Sequence, residues 1–305
     1  MEDYFQIHAF SDVIHPKDWD SFEPRVEKNT HQILDILDTA PSKPRATFFI
    51  LGWVAERQSG LVKEIHSRGH EVACHGYAHQ CIFKQTKKEF KEDVKRAKGI
   101  LENLIGVGVI GYRAPTYSIT RKTFWALEIL FELGFRYDSS IFPIKHDVYG
   151  FPKAPCFPFY IDFTNGDILF QLKNPKYINQ FRKPEKVNRR KPSNNQQDLT
   201  PDACFIEFPL STITVFGCSL PFCGGGYLRL FPYWYTRWGV RNINRNRREP
   251  VVFYIHPWEL DSEFPKINSA SLLSKFRTYV NLKETARRFN RLLSEFRFAP
   301  LASMI

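Results

Sequence analysis

The stretch HEVACHGYAH, residues 70–79, joins a short apolar run to two histidines placed four residues apart. Its first half, HEVAC at 70–74, predicts a buried strand, since Gly69 directly before it is a typical residue for ending a helix. In folds that alternate strands and helices, functional side chains lie at the carboxyl ends of the strands. His75 and His79 follow such an end, so the stretch predicts both a strand and a candidate site.

The rest of the chain repeats this alternation of strand and helix. Apolar runs predict strands for ATFFIL at 46–51, VIGY at 109–112, FRYD at 135–138, CFIEFP at 204–209 and VVFYI at 251–255. Apolar residues at helical spacing predict helices at 24–38, 61–69, 86–104, 124–134 and 274–296. Thr86 and Glu89 have the spacing of a capping box. The alternation predicts an α/β fold with a parallel sheet or barrel.

Composition narrows the class of protein. The chain has 305 residues, of which 43% are hydrophobic and 15% aromatic, and this excludes a disordered chain. We expect one domain with an insertion rather than two domains. No apolar run reaches membrane-spanning length and no secretory signal is visible, although a truncated start could hide one. The six cysteines form no CxxC pair, which favours a reduced, cytoplasmic setting.

The net charge of +11 is concentrated partly in KNPKYINQFRKPEKVNRRKP at 173–192. We interpret this run as a solvated polar insertion between two core elements. The alternative is a patch for anionic partners, such as lipid headgroups, acidic glycans or nucleic acid, which would make the protein membrane-associated. No recognised nucleic-acid-binding module accompanies the charge, so we expect no specific nucleic-acid partner.

Polar side chains follow several of the predicted strands. Arg113 follows VIGY, Asp138 ends FRYD, and His256 follows VVFYI. Taken singly, Arg113 is explained as a surface charge, Asp138 as a helix cap and His256 as a core histidine bonded to backbone. Agreement among several strand ends favours a functional site instead.

Binding a metal ion is the simplest function for the paired histidines. Imidazoles at His75 and His79 fall on one side of a helical turn, within reach of one ion, and they suit zinc and similar metals. The alternative is a pair of surface or capping histidines. An open catalytic site takes a further donor, often a carboxylate, and Glu2 and Asp3 are the candidates. These two could equally be solvated residues.

In this order, HGYAH, RAPTY, YDSSIFP and FYIHPWELD resemble the successive motifs of the polysaccharide deacetylase family, which has a NodB-type domain and is carbohydrate esterase family 4-like. MEDYF at 1–5, EFPLST at 207–212 and LPFCGGGYLRLFPYW at 220–234 resemble its subgroup from exosortase (PEP-CTERM) exopolysaccharide loci. The resemblance covers nearly all of 1–305, with a subgroup-specific part at 205–305. It implies a single domain folded as a distorted (β/α) barrel of about seven strands.

The resemblance also implies an activity and residue roles. The family hydrolyses N-acetyl groups of amino sugars with a divalent metal, here zinc or alternatively cobalt, nickel or iron. Its ligands would be His75, His79 and an acidic residue of the first motif, either Glu2 or Asp3. Arg113 would orient and tune the base, and His256 would be the general acid, paired with Asp138. From the residues themselves, the GGGY segment at 224–227 would let an N-acetylated glycan approach the backbone, with Tyr227, Trp234 and Trp258 as stacking platforms and Tyr117 as a further binding residue. The alternative is a tight turn with packed aromatic side chains.

Several features depart from the resemblance. The subgroup reads DVEDYF, where the leading Asp is the expected base, and Met1 stands at the Val position. The base and the strand before it are therefore absent. Because GTG encodes valine inside a gene but methionine at a start, a misplaced start would turn TVDVEDYF into MEDYF. The insertion at 173–200 is longer than expected, and Ser139 replaces a common Trp, so the substrate stays open.

Three other functions remain open from the residues. If the base is truly absent, the protein is a catalytically inactive glycan-binding homologue. A related barrel could instead hydrolyse a small cyclic amide with the same ligands. A nucleic-acid binder is suggested by charge alone. The oligomeric state is not predicted.

Overall fold

A computed structural model describes residues 1–146, 149–161, 163 and 205–305. The helices described are α1 Val26–Thr39, α2 Gly52–Arg57, α3 Ser59–Ser67, α4 Lys87–Ile105, α5 Trp125–Glu132, α6 Gly225–Leu230, α7 Tyr233–Asn242, α8 Leu272–Tyr279 and α9 Leu282–Glu295. The strands described are β1 Thr47–Ile50, β2 Glu71–Cys74, β3 Gly111–Tyr112, β4 Tyr137–Asp138, β5 Phe159–Ile161, β6 Phe205–Glu207, β7 Thr212–Val215 and β8 Cys218–Pro221. The basic insertion predicted at 173–200, and the anionic contact predicted for it, lie outside the described residues.

The main sheet is mostly parallel. Its six strands run in the order β1-β2-β3-β4-β6-β5, and all neighbours are parallel except β5, which is antiparallel to β6. Strands β7 and β8 form a separate antiparallel hairpin. The predicted α/β class is confirmed, and the sheet is consistent with a distorted NodB-type barrel. No helix among the described residues combines the length and the apolar character needed to cross a bilayer.

Helix α4 shows why the predicted elements form where they do. The Thr86 hydroxyl accepts a hydrogen bond from the Glu89 amide at 3.2 Å, and the Glu89 carboxylate accepts one from the Thr86 amide at 2.7 Å. This confirms the capping box, which satisfies donors that the first turn leaves free. The inward stripe of Phe90, Val94 and Leu101 is fully buried. Burying such side chains contributes about 1.5–3 kcal/mol each, so the stripe fixes α4 against the sheet.

The segment VVFYI at 251–255 is not a strand of either sheet, contrary to the prediction. The Val252 amide donates to the side-chain hydroxyl of Ser211 at 2.8 Å, not to the backbone of a neighbouring strand. At the outer edge of β1, the Met1 amino group donates to the Phe49 carbonyl and the Met1 carbonyl accepts from the Leu51 amide at 3.3 Å. The segment and β1 line one cavity, and no other described strand pairs with either across it.

The helix predicted at 274–296 is two helices, α8 and α9. The chain breaks at Asn281, whose φ of 50° lies in the left-handed region. Asparagine tolerates this conformation better than most residues, and its side-chain amide donates to the Arg229 carbonyl at 2.9 Å. Apolar spacing continues across the break, which explains why periodicity alone predicted one helix.

Strands β4 and β6 place two carboxyl groups side by side. Asp138 and Glu207 are register partners, and both are completely buried. Burial raises the pKa of Asp138 to about 6. Burial, together with the charge of Asp138, raises the pKa of Glu207 well above its usual range. The pair therefore holds a proton at neutral pH in the folded protein.

This pair makes stability dependent on pH. Carboxyl groups with raised pKa values bind protons more tightly when folded, so their contribution is fully present in acid. This contribution to the free energy of unfolding is lost as pH rises through about 6 and beyond, by at most about 1.4 kcal/mol per pH unit per proton.

The variant Glu207→Gln tests this pH dependence. Glutamine at this position cannot ionise, and it keeps an oxygen for the Ile141 amide that Glu207 bonds at 2.9 Å. We expect the variant to flatten the fall in unfolding free energy between pH 6 and pH 9, measured by urea denaturation. Glu128→Gln, at an exposed position, is the control, and an equal slope in wild type and Glu207→Gln would contradict the assignment.

Candidate metal centre and active site

Two histidines and one glutamate converge in the described part of the chain. Glu2 Oε2 lies 3.3 Å from His75 Nε2 and 2.9 Å from His79 Nε2. One ligand atom from each residue lies within 4.8 Å of the others. His256 Nε2 is 3.8 Å from the other Glu2 oxygen. The structure therefore brings together residues from the chain start, the end of β2 and the segment after 255.

The end of strand β2 fixes the orientation of His75. Its backbone amide donates to the Ile50 carbonyl of β1 at 3.0 Å, and its ring Nδ1 lies 2.6 Å from the Arg113 carbonyl. A carbonyl only accepts, so Nδ1 carries the proton and the unprotonated Nε2 faces Glu2. Burial lowers the pKa of His75 to about 3, which keeps the ring neutral.

The HGYAH segment is a loop, not the helical turn that the spacing predicted. Asp93 of α4 holds it by accepting from the Tyr77 amide at 2.8 Å and the Ala78 amide at 3.2 Å. Gly76 has a φ of +73°, and a Cβ there would lie 2.8 Å from the Asp93 carboxylate. Asp93 was missed by sequence reasoning, because an acidic residue inside an amphipathic helix gives no sign of its distant partner.

Glu2 and Asp3 point to different places, as alternation along an extended chain allows. The Asp3 carboxylate accepts from the Tyr4 amide at 2.8 Å, the Arg25 amide at 2.6 Å and the Val26 amide at 2.8 Å. It thereby caps the first turn of the chain and the start of α1. Only Glu2 lies in the histidine cluster, so Asp3 is corrected from candidate ligand to capping residue.

Glu2 is a buried carboxylate surrounded by imidazoles. Burial alone would raise the pKa of Glu2, but His79, His75 and His256 outweigh it and lower that pKa well below its usual range. Its Oε2 has no hydrogen-bond partner despite the short distances to both rings. An unprotonated His75 Nε2 facing this carboxylate oxygen is the arrangement that two ligands of one cation adopt.

This donor set fits a divalent metal ion. Two imidazoles and one carboxylate form the three-ligand set that zinc takes in open catalytic sites. The hydrogen bond from His75 Nδ1 to the Arg113 carbonyl is the outer-shell contact such ligands usually make. His79, Glu2 and His75 are therefore the residues that would hold the ion.

Arg113 lines the cavity beside the cluster. Its Nε donates to the Ser139 carbonyl at 2.8 Å and its Nη2 to the Ser139 hydroxyl at 2.6 Å. The guanidinium also lies 4.3 Å from the centroid of the Phe49 ring. Ser139, the departure noted in the sequence, therefore anchors this cation.

The predicted pairing of His256 with Asp138 is wrong in this structure. Asp138 accepts instead from the Ser140 amide at 3.1 Å and the Ser140 hydroxyl at 2.6 Å. His256 Nδ1 lies 3.2 Å from a carboxylate oxygen of Glu259, which also accepts from the His256 amide at 2.8 Å. Asp138 does end strand β4, whereas His256 follows a segment that is not a strand, and the sequence pattern could not assign the partner of either.

A cavity of about 380 Å³ opens beside these residues and extends between β1 and residues 251–255. Of the predicted glycan-binding residues, Tyr117 and Trp258 line it. Trp258 stacks on the His256 ring with centroids 5.5 Å apart. Tyr227 is not part of the lining and packs behind it in the apolar cluster that contains Val252. Trp234 is 65% exposed and lies outside the lining.

Comparisons with known proteins agree with this geometry. Residues 19–137 match the family model described as polysaccharide deacetylase, and residues 183–305 match a domain of unknown function, DUF3473. Over 146 residues the chain is 31% identical to the peptidoglycan deacetylase-like protein FGM2 of Gibberella zeae. This match spans 48% of the present chain and 42% of FGM2. Over 96 residues it is 33% identical to the peptidoglycan deacetylase of Helicobacter pylori, covering 32% of each chain.

The fold comparison spans more of the chain. A crystal structure from Mycobacterium smegmatis, described as a polysaccharide deacetylase, superposes with a TM-score of 0.54 at 18% identity, covering 97% of this chain and 81% of that one. This likeness shows the fold. Residues 19–137 are thus similar to the polysaccharide deacetylase family, and the chain spans less than half the length of the two curated relatives.

The two adjacent acids give a direct test of the metal centre. Glu2→Gln should weaken zinc binding, measured by isothermal titration calorimetry, by more than the roughly 10–100-fold typical of losing an outer-shell contact. Asp3→Ala should leave zinc affinity within about 3-fold and lower the free energy of unfolding by about 0.5–2 kcal/mol through loss of the cap. The reverse pattern would make Asp3 the ligand.

Proposed function

We propose that the protein is a metal-dependent hydrolase that removes N-acetyl groups from amino sugars of an exopolysaccharide or its precursor. The observation that carries this proposal is the Glu2, His75 and His79 cluster, with His256 Nε2 only 3.8 Å from Glu2. The cluster lies in a cavity at the carboxyl ends of β1 and β2, where such folds place their chemistry. The matched family model and the two relatives named as peptidoglycan deacetylases support the N-acetylated glycan class.

The chain supplies acid catalysis and substrate orientation. His256, protonated at Nε2, donates that proton to the amine nitrogen as the carbon–nitrogen bond breaks. Water adds to the acetyl carbon and loses its proton to a carboxylate base, so the products are acetate and the free amine. A bound divalent ion supplies polarisation of the acetyl carbonyl and acidifies the water. Arg113, fixed on Ser139, orients the base, and Tyr117 and Trp258 bind sugar rings.

We infer that the base lies on an extended segment preceding Met1, as the subgroup pattern DVEDYF implies. Two observations support this. The Met1 backbone bonds Phe49 and Leu51 in the manner of a parallel strand, and the cavity extends between β1 and residues 251–255. An acid two positions before Glu2 would share its face of the strand. Zinc as the metal, and an exopolysaccharide rather than peptidoglycan, complete the proposal.

Acetate release tests the activity. In protein expressed with the codons upstream of Met1, we expect release from N-acetylglucosamine oligosaccharides that falls about 10²–10⁴-fold in His256→Ala. His75→Ala should abolish it through loss of the metal, and a chelator should do the same in the wild type.

The outcomes separate the alternatives. Unchanged release in both variants would sink the assignment of the site. Ring opening of a cyclic amide without acetate would indicate the related hydrolase. Oligosaccharide binding without turnover, in protein that retains its upstream segment, would indicate an inactive homologue.

The upstream segment has its own test. Including the upstream codons should raise acetate release by about 10²–10⁴-fold, because it supplies the general base. It should also raise the melting temperature, because an extended segment covers the apolar groove. Asn in place of the acid two positions before Glu2 should remove the first effect and keep the second. The peptide mass of the native N-terminus decides whether the segment exists, and a native protein beginning at Met1 would refute it.

A further inference from the structure

His256 has a buried carboxylate partner that the motif pattern does not assign. Glu259 is 1% exposed and holds two neighbours with separate oxygens. Its Oε2 accepts from the His256 amide at 2.8 Å and lies 3.2 Å from His256 Nδ1. Its Oε1 accepts from Arg229 Nη2 at 3.0 Å. The carboxylate therefore links the histidine to a buried cation.

Arg229 is fixed on its other side. It is 1% exposed, and its Nη1 donates to the Thr278 carbonyl at 2.7 Å and the Val280 carbonyl at 3.1 Å at the end of α8. These carbonyls are the acceptors that a helix end leaves free, so the cation is held by the backbone as well as by Glu259. A buried ion pair whose members also bond other groups has little freedom to move.

The glycine-rich segment makes room for this carboxylate. A Cβ at Gly225 would lie 1.9 Å from Glu259 Oε2, which is closer than any real contact. Gly225 begins α6, the helix that carries Arg229. The missing side chain in the GGGY stretch therefore allows Glu259 to approach His256, in addition to any contact of this stretch with a glycan.

We propose that Glu259, anchored by Arg229, is the positioning residue for His256 in the reaction, the place that the motif pattern gave to Asp138; this rests on the proposed function. Because a carboxylate only accepts, the His256 ring turns its Nδ1–H toward Glu259, and this orientation leaves Nε2 free of that contact. Nε2 is the ring atom that faces Glu2 and the cavity. Asp138 instead accepts a hydrogen bond from the Ser140 hydroxyl and lies beside its register partner Glu207 in the sheet.

The variant Glu259→Gln tests the positioning role through the tautomer of the His256 ring, which a merely structural role of Glu259 would not change. Glutamine has one oxygen, and Arg229 Nη2 competes with His256 for it. With that oxygen on Arg229, the amide NH₂ group faces Nδ1, so the neutral ring must switch its proton to Nε2. We expect the switched tautomer in long-range ¹H–¹⁵N spectra of Glu259→Gln, in both metal-free and zinc-loaded protein. We also expect kcat to fall about 10–100-fold with KM within about 3-fold.

A second variant supplies the rescue. Adding Arg229→Met to Glu259→Gln removes the competitor, so the glutamine oxygen turns to His256 and the Nδ1-protonated ring returns. Asp138→Asn should keep the wild-type tautomer. Glu263→Gln is the matched control, since its carboxylate is exposed and pairs with Lys28 at 2.9 Å.

The possible outcomes are distinct. An unchanged ring spectrum and unchanged kcat in Glu259→Gln would overturn the proposal, as would loss of the tautomer in Asp138→Asn. If Glu259→Gln fails to fold, the double variant and Asp138→Asn decide the matter by the same spectra. If the wild type with its upstream segment releases no acetate, the proposed function fails, while the spectra still test the role of Glu259.

Discussion

The Glu2 carboxylate, buried among imidazole nitrogens, is the constraint on which the rest of the site depends. Its Oε2 lies within 3.3 Å of two Nε2 atoms without a hydrogen bond to either. Leaving such a group uncompensated in a buried site is costly, whereas a cation at the same point satisfies all three donors. Every element around it is arranged to keep these three atoms facing one another.

Hydrogen bonds between side chains and backbone groups hold this arrangement in place. The Arg113 carbonyl sets the tautomer of His75, and the Asp93 carboxylate holds the loop that carries His79. Asp3 ties the chain beside Glu2 to the start of α1 through three amides. Strands β1 and β2 align these parts because their parallel register brings Ile50 level with Cys74. The sheet therefore builds the candidate metal centre through hydrogen bonds that the chain makes for its own folding.

Sequence reasoning was strongest where one rule governs local structure. Buried runs and a capping box predicted β1, β2 and α4, and the strand-end rule pointed to His75 and His79 directly after β2. It failed where a distant neighbour decides the outcome. Residues 251–255 have the composition of a strand but no described strand beside them, and apolar spacing could not show that Asn281 adopts a left-handed conformation. The choice between Glu2 and Asp3 also required knowledge of where α1 begins.

The cost of burying a charge also explains why His256 pairs with Glu259 rather than with Asp138. Asp138 and Glu207 face each other on adjacent strands, and one proton between them removes the cost of two buried charges. An acid committed to that pair is a poor partner for an imidazole that must become positive. Glu259 is ionised instead, since Arg229 and His256 outweigh the burial that would raise its pKa, and the pKa is lowered. An anion held by a fixed cation orients the ring without taking its proton. The fold therefore uses buried carboxyl groups in two ways. The Asp138–Glu207 pair holds a proton within the sheet, and Glu259 orients the His256 ring toward the cavity.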